Sequence, residues 1–219
     1  MPLTEPDVAL TDWLLTLECM VFVLLLAARP RQPLRDCFLG IFGCIGTASL
    51  LGGIVHGCFA APTSFGHRLL WPITLVTLVA MAAFVWLAGV QLLVAPACRR
   101  LARCVAAATF PLGAGYVVFV DASFWVVVCT YFPAVVWLAA GYVAEVRRRR
   151  DRRLVLGLLG LLLTLVAGGL QQTGVALHPR YFDHNALYHA VQAIALLLVF
   201  RSTRELAPAP IGAGGSCAR

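Results

Sequence analysis

The chain has 219 residues, of which 61% are hydrophobic and 12% charged, with a mean hydropathy of +0.87. A soluble domain carries roughly 25% charge, so this composition excludes an ordinary water-soluble enzyme and predicts an all-α polytopic membrane protein. The formal net charge of +7 rests on arginine alone, because the sequence contains no lysine, and its distribution marks topology rather than a nucleic-acid-binding face.

In chain order, the N-terminal "MPLTEPDVALTDW" is acidic and lacks a basic n-region, which speaks against a cleavable signal peptide. Apolar runs long enough to cross a hydrocarbon core of ~30 Å follow near 9–28, 37–61, 69–94, 104–120, 122–145, 154–176 and 184–201. Charged or Pro-containing breaks separate most of them, and only "DAS" at 121–123 divides the fourth from the fifth. Pro62, Pro72, Pro111 and Pro133 are expected to start or kink helices. Residues 202–219, small and rich in Pro and Gly, read as a disordered cytoplasmic tail. Eight cysteines form no CxxC pair and fall mostly within apolar runs, where cysteine acts as a small hydrophobe.

Arginine sets the expected direction. Arg29, Arg31 and Arg35, then Arg99, Arg100 and Arg103, then Arg147–Arg150, Arg152 and Arg153, and lastly Arg201, Arg204 and Arg219 all fall on one side. Only Arg68 and Arg180 fall on the other. The positive-inside rule then gives a seven-transmembrane-helix bundle with its N-terminus outside and its C-terminus in the cytoplasm. All-arginine basicity with high Ala, Leu and Gly suggests a GC-rich bacterial genome, hence the inner membrane.

The remaining polar residues gather toward the outer side. His56, His67, His178, His184 and His189 lie there, as do Glu5, Asp7, Asp12, Asp121 and Asp183, with Glu18 about mid-depth in the first span. Ser49 and His56 are seven apart on the second span, on one face with Gly52 and Gly53 between them. Gln171 and Gln172 stand at the outer end of the sixth span, and Asn185, His189 and Gln192 share one face of the seventh. Polar groups in lipid need partners and turn to the bundle interior, so Glu18, Ser49, Gln171, Gln172, Asn185 and Gln192 are expected to line an outward-facing pocket with the histidines. The bland reading, in which a lone His or Gln only glues helices together, is weakened by the number of such residues at one depth. A microbial rhodopsin is excluded because its Schiff base requires lysine. The sequence also holds no Gly-rich phosphate loop, GxSxG elbow or HExxH.

Seven spans, an outside N-terminus, His56 late in the second span and His189 in "LYHAVQAIAL" resemble the CREST superfamily of alkaline ceramidases, progestin and adiponectin receptors and hemolysin III-like proteins. That family carries a Ser and a His one turn apart on the second helix, an Asp at the second-to-third boundary and an HxxxH on the seventh. The resemblance implies a zinc ion held by His56, His189 and a third donor, activating water to hydrolyse a lipid amide or ester. His184, His67, Asp183 or Glu18 would supply the third ligand, with Asp183 or His184 as base. Asn185 stands where the first His of HxxxH belongs, Gly52 where the Ser belongs, and no carboxylate stands near His67 at the Asp position. Glu5, Asp7 and Glu18 resemble the acidic calcium-binding cluster of alkaline ceramidases. Two further readings stand beside the hydrolase: a non-catalytic seven-helix protein that binds or senses a lipid or small ligand, and a transporter. Transport needs polar groups along the whole path, and the inner half is nearly free of them apart from arginine. Membrane lipids are the expected partners, one of them a lipid substrate, with no nucleic acid.

Overall fold

The structure is a computed structural model and describes residues 3–178 and 181–206. Seven α-helices run in chain order as α1 (Pro6–Ala27), α2 (Pro33–Cys58), α3 (Phe65–Leu93), α4 (Arg99–Phe119), α5 (Phe124–Arg149), α6 (Leu154–Thr173) and α7 (His184–Leu206). A single 3₁₀ turn, Pro96–Cys98, leads into α4. All seven are long and apolar enough to cross a membrane, and no strand occurs among the described residues.

Local chemistry fixes the ends. Proline begins α1 and α2 in their first turns, where its missing N–H costs nothing. Ser64 caps α3 by accepting from the His67 N–H at 3.2 Å. Left-handed Arg150 and Gly174 terminate α5 and α6. The "DAS" break does separate α4 from α5. Pro72, Pro111 and Pro133 lie inside α3, α4 and α5. Several helices outrun their apolar stretches, because polar and charged residues at a helix end keep helical geometry: α2, α3 and α4 begin earlier, at Pro33, Phe65 and Arg99, and α5 and α7 continue through Arg149 and Leu206. The first residues assigned to the tail, 202–206, are therefore helical, with Ser202 and Thr203 fully buried; 207–219 lie outside the described residues.

Six helices close a ring: α1 packs on α2, α2 on α3, α3 on α5, α5 on α6, α6 on α7, and α7 returns to α1. The fourth helix stays outside this ring, leaning on α3, with 11% of its span buried against 56% for α2 and α3. Helix α6 meets α7 at Gly160, where a Cβ would stand 2.6 Å from the Ala195 carbonyl oxygen, so only glycine allows this backbone approach. At the arginine-bearing end the ring is filled by aromatics, Phe22 stacking on Phe200 at 4.2 Å and Phe42 edge-on to both. That packing leaves the opposite end, which carries the histidines, as the place for an interior space.

Candidate functional site

Asp12 sits one and a half turns into α1, turned into the ring, with 3% of its surface exposed. Its Oδ1 lies 3.2 Å from Nε2 of His189 on α7. The other ring nitrogen of His189, Nδ1, lies 3.1 Å from the Thr11 hydroxyl. That hydroxyl points its hydrogen at the carbonyls of Asp7 and Val8, both 2.9 Å away, so His189 Nδ1 donates to it. Nε2 then shares a proton with the Asp12 carboxyl group. Ser49 of α2 lines the same cavity as that carboxyl.

These residues stand at the polar end of a cavity inside the ring, with about 1070 Å³ of empty space including its open mouth. Every ring helix contributes to its wall, and α4 contributes nothing. Asp12, Ser49, His56, Gln171, His189 and Gln192 supply its polar side chains, joined by Asn185 and Thr164. Gln171 donates to Asn185 Oδ1 and Gln192 to Thr164 Oγ1, each at 3.3 Å, tying α6 to α7. Toward the arginine end the wall turns apolar, through Leu15, Ile41, Val85, Leu138, Leu196 and Val199. The mouth is edged by aromatic rings: Trp71 lies 6.4 Å from His56 and 6.5 Å from Phe124, which in turn lies 6.5 Å from Tyr188.

The segment before α1 is tied to the C-terminal end of α2. Glu5 N–H and Thr4 N–H donate to the carbonyls of His56 and Gly57, and the Glu5 carboxylate meets His56 Nδ1 at 2.5 Å. This strap orients His56 as Asp12 orients His189.

Of the residues expected at the site, His56, His189, Ser49, Gln171, Asn185 and Gln192 line the cavity together. Asp183 does not: its Oδ1 caps α7, accepting from the N–H groups of Asn185 and Ala186 at 2.8 and 2.9 Å. His184 faces outward beside it, 3.9 Å from the Asp183 carboxylate and outside the cavity. Gln172 is exposed, since one residue along a helix turns about 100° and Gln171 already faces inward. Glu18 also lies outside the cavity, half-buried on α1 with Oε2 lacking a partner. His67 stacks on Trp71 at 5.8 Å, with Nδ1 3.1 Å from the Phe59 carbonyl.

Neither expected metal site comes together. Among the described residues, no three His, Cys, Asp or Glu side chains are placed to hold an ion. A catalytic zinc needs three such donors and an open position. Here His189 spends one ring nitrogen on Thr11 and the other on Asp12, while His56 bonds Glu5 through Nδ1 and keeps Nε2, so the pair as arranged offers zinc one nitrogen, short of the three donors it needs. For calcium, Glu5 is held by His56, Asp7 Oδ2 accepts from the Asp183 N–H at 3.1 Å, and Glu18 stands about 16 Å farther along α1 at 1.5 Å per residue.

The departure at Gly52 has a physical cause. A Cβ there would stand 3.0 Å from Asp12 Oδ2, so the carboxylate from α1 fills the space that a serine would use. Sequence reasoning missed Asp12 as a member of the site, together with Thr164 and the aromatic mouth. The one available signal was spacing: Asp12, Leu15 and Cys19 fall on a single stripe of α1.

No curated protein and no solved structure matches the chain. A family model described as a family of unknown function (DUF6962) matches residues 8–208, nearly the whole seven-helix bundle. The chain therefore belongs to that family, DUF6962.

Proposed function

We propose that this is an integral membrane protein that holds one amphipathic molecule, a lipid or lipid-like ligand, in the cavity of its six-helix ring without transforming it. The N-terminus and the cavity mouth face outward and the arginine-rich end faces the cytoplasm, as the positive-inside rule requires, in a bacterial inner membrane. One observation carries the reading: a single cavity grades from a hydrogen-bonding end at Asp12, His189 and Gln192 to an apolar end at Leu138, Leu196 and Val199. A polar head and a hydrocarbon tail match the two ends without leaving either surface unsatisfied.

Hydrolysis is less well supported. Among the described residues no hydrogen bond joins Ser49 to a histidine that would activate it as a nucleophile, and no three metal donors converge. The Asp12–His189 pair nonetheless handles a proton beside the cavity, which is the observation that keeps a hydrolase as the second reading.

Thermal unfolding of the detergent-solubilised protein, with and without dodecyl-chain amphiphiles, tests the proposal. Ligand binding at 100 times Kd contributes about 2.7 kcal/mol, a rise of several degrees in Tm. Ala48→Trp fills the cavity from α2 and should abolish the rise. An equal rise in that variant would place binding elsewhere.

A further inference from the structure

The polar end of the cavity is lopsided in its hydrogen bonding. Both glutamines spend their N–H₂ groups on the protein, Gln171 on Asn185 and Gln192 on Thr164. Both leave Oε1 buried with no hydrogen-bond partner, and Gln192 is 5% exposed. Two threonine hydroxyls around them are also committed, while Tyr131 and Tyr188 bring hydroxyls to the same wall. Thr164 donates to the Gly160 carbonyl at 3.2 Å, and Thr74 donates to Leu70 at 2.9 Å. Trp71 Nε1 donates to the Ala122 carbonyl at 3.0 Å. Among the lining side chains no arginine occurs, and the chain has no lysine. The amide hydrogens of Asn185 and the hydroxyls of Tyr131 and Tyr188 are further donors in this wall, and none of them reaches the two orphan carbonyls.

A buried acceptor without a donor is destabilising, so two of them in one wall point to a ligand that supplies the hydrogens. We propose that the ligand's head is a multiple N–H donor, an amine on a hydrocarbon chain, with its hydrogens directed at Gln171 Oε1, Gln192 Oε1 and the Asp12 carboxyl group. A fatty acid brings further acceptors and would leave the glutamines unpaired. A quaternary ammonium has the charge and suits the aromatic mouth, yet has no hydrogen to give. The inference rests on the reading of the cavity as an amphiphile site.

The test compares dodecylamine, dodecyltrimethylammonium, dodecanol and dodecanoate, matched in chain length, for retention by the full-length protein in native mass spectrometry. Dodecylamine should bind at least ~10-fold more tightly than dodecyltrimethylammonium, because one unpaired buried acceptor is worth a factor of about ten. In Gln171→Leu/Gln192→Leu that ratio should fall to within about twofold. Equal binding of the amine and the trimethylammonium in the parent protein would overturn the inference and leave the cavity reading standing. This comparison needs no variant to fold. Retention of none of the four would overturn both.

Discussion

His189 Nε2 on the last helix lies 3.2 Å from Asp12 Oδ1 on the first, and this contact closes the ring where the chain's two ends meet. Both partners are buried, so neither can turn to water if the other is removed. His189→Ala should therefore cost about 1–3 kcal/mol, the penalty of an unpaired buried polar group. Asp12→Ala should cost a similar amount, and the double variant less than the sum, with a coupling near 1 kcal/mol as for other interhelical bonds in membranes. Thermal unfolding of the four proteins measures this. Strict additivity would mean that the contact contributes nothing to closure.

Gly52 and Asp12 should also be coupled, through space rather than through a bond. Introducing the serine of the CREST pattern, Gly52→Ser, puts a Cβ 3.0 Å from Asp12 Oδ2 and should lower stability by roughly 1 kcal/mol or more. In an Asp12→Ala background the same substitution should be nearly neutral. Equal cost in both backgrounds would show that some other atom limits position 52.

The α6–α7 crossing offers a sharper contrast within one helix. A Cβ at Gly160 meets the Ala195 backbone at 2.6 Å, whereas one at Gly169 meets nothing within 4 Å. Gly160→Ala should destabilise by about 1–3 kcal/mol, since backbone cannot step aside as a side chain can. Gly169→Ala should be neutral or stabilising by up to ~1 kcal/mol. Melting temperatures in one detergent compare them directly.

The metal expectation has its own test. Elemental analysis of untagged protein should find well below one zinc per chain, unchanged by His56→Ala or His189→Ala. Near-stoichiometric zinc lost in both variants would mean that the histidines exchange Glu5, Thr11 and Asp12 for a metal, and the hydrolase reading would take precedence.

The seven helices were legible because each is a long apolar run, and their polar ends were misjudged, at the starts Pro33, Phe65 and Arg99 as well as at the ends Arg149 and Leu206. Half of the site was legible too. Ser49 with His56, and Asn185 with His189 and Gln192, are spaced along their helices so that they share a face whatever the neighbours do. Glu18 and Asp12 show why the rest was not. Helix α1 is apolar nearly all round, so its sequence does not say which stripe turns inward; packing against α2 and α7 chose the stripe of Asp12 and left Glu18 outside the cavity. Asp183 was misread for another reason. It is the nearest carboxylate to the histidines in sequence, but two N–H groups of α7 claim it as a cap. That α4 stands outside the ring is equally invisible, since a lipid-facing span and a ring span share one composition.

The most direct measurement is native mass spectrometry of the full-length protein loaded with dodecylamine, beside Ala48→Trp. We predict one retained amphiphile per chain in the parent and none in the variant, because the indole fills the space between α2 and the opposite wall. Non-stoichiometric retention, the same in both proteins, would contradict the cavity as a binding site.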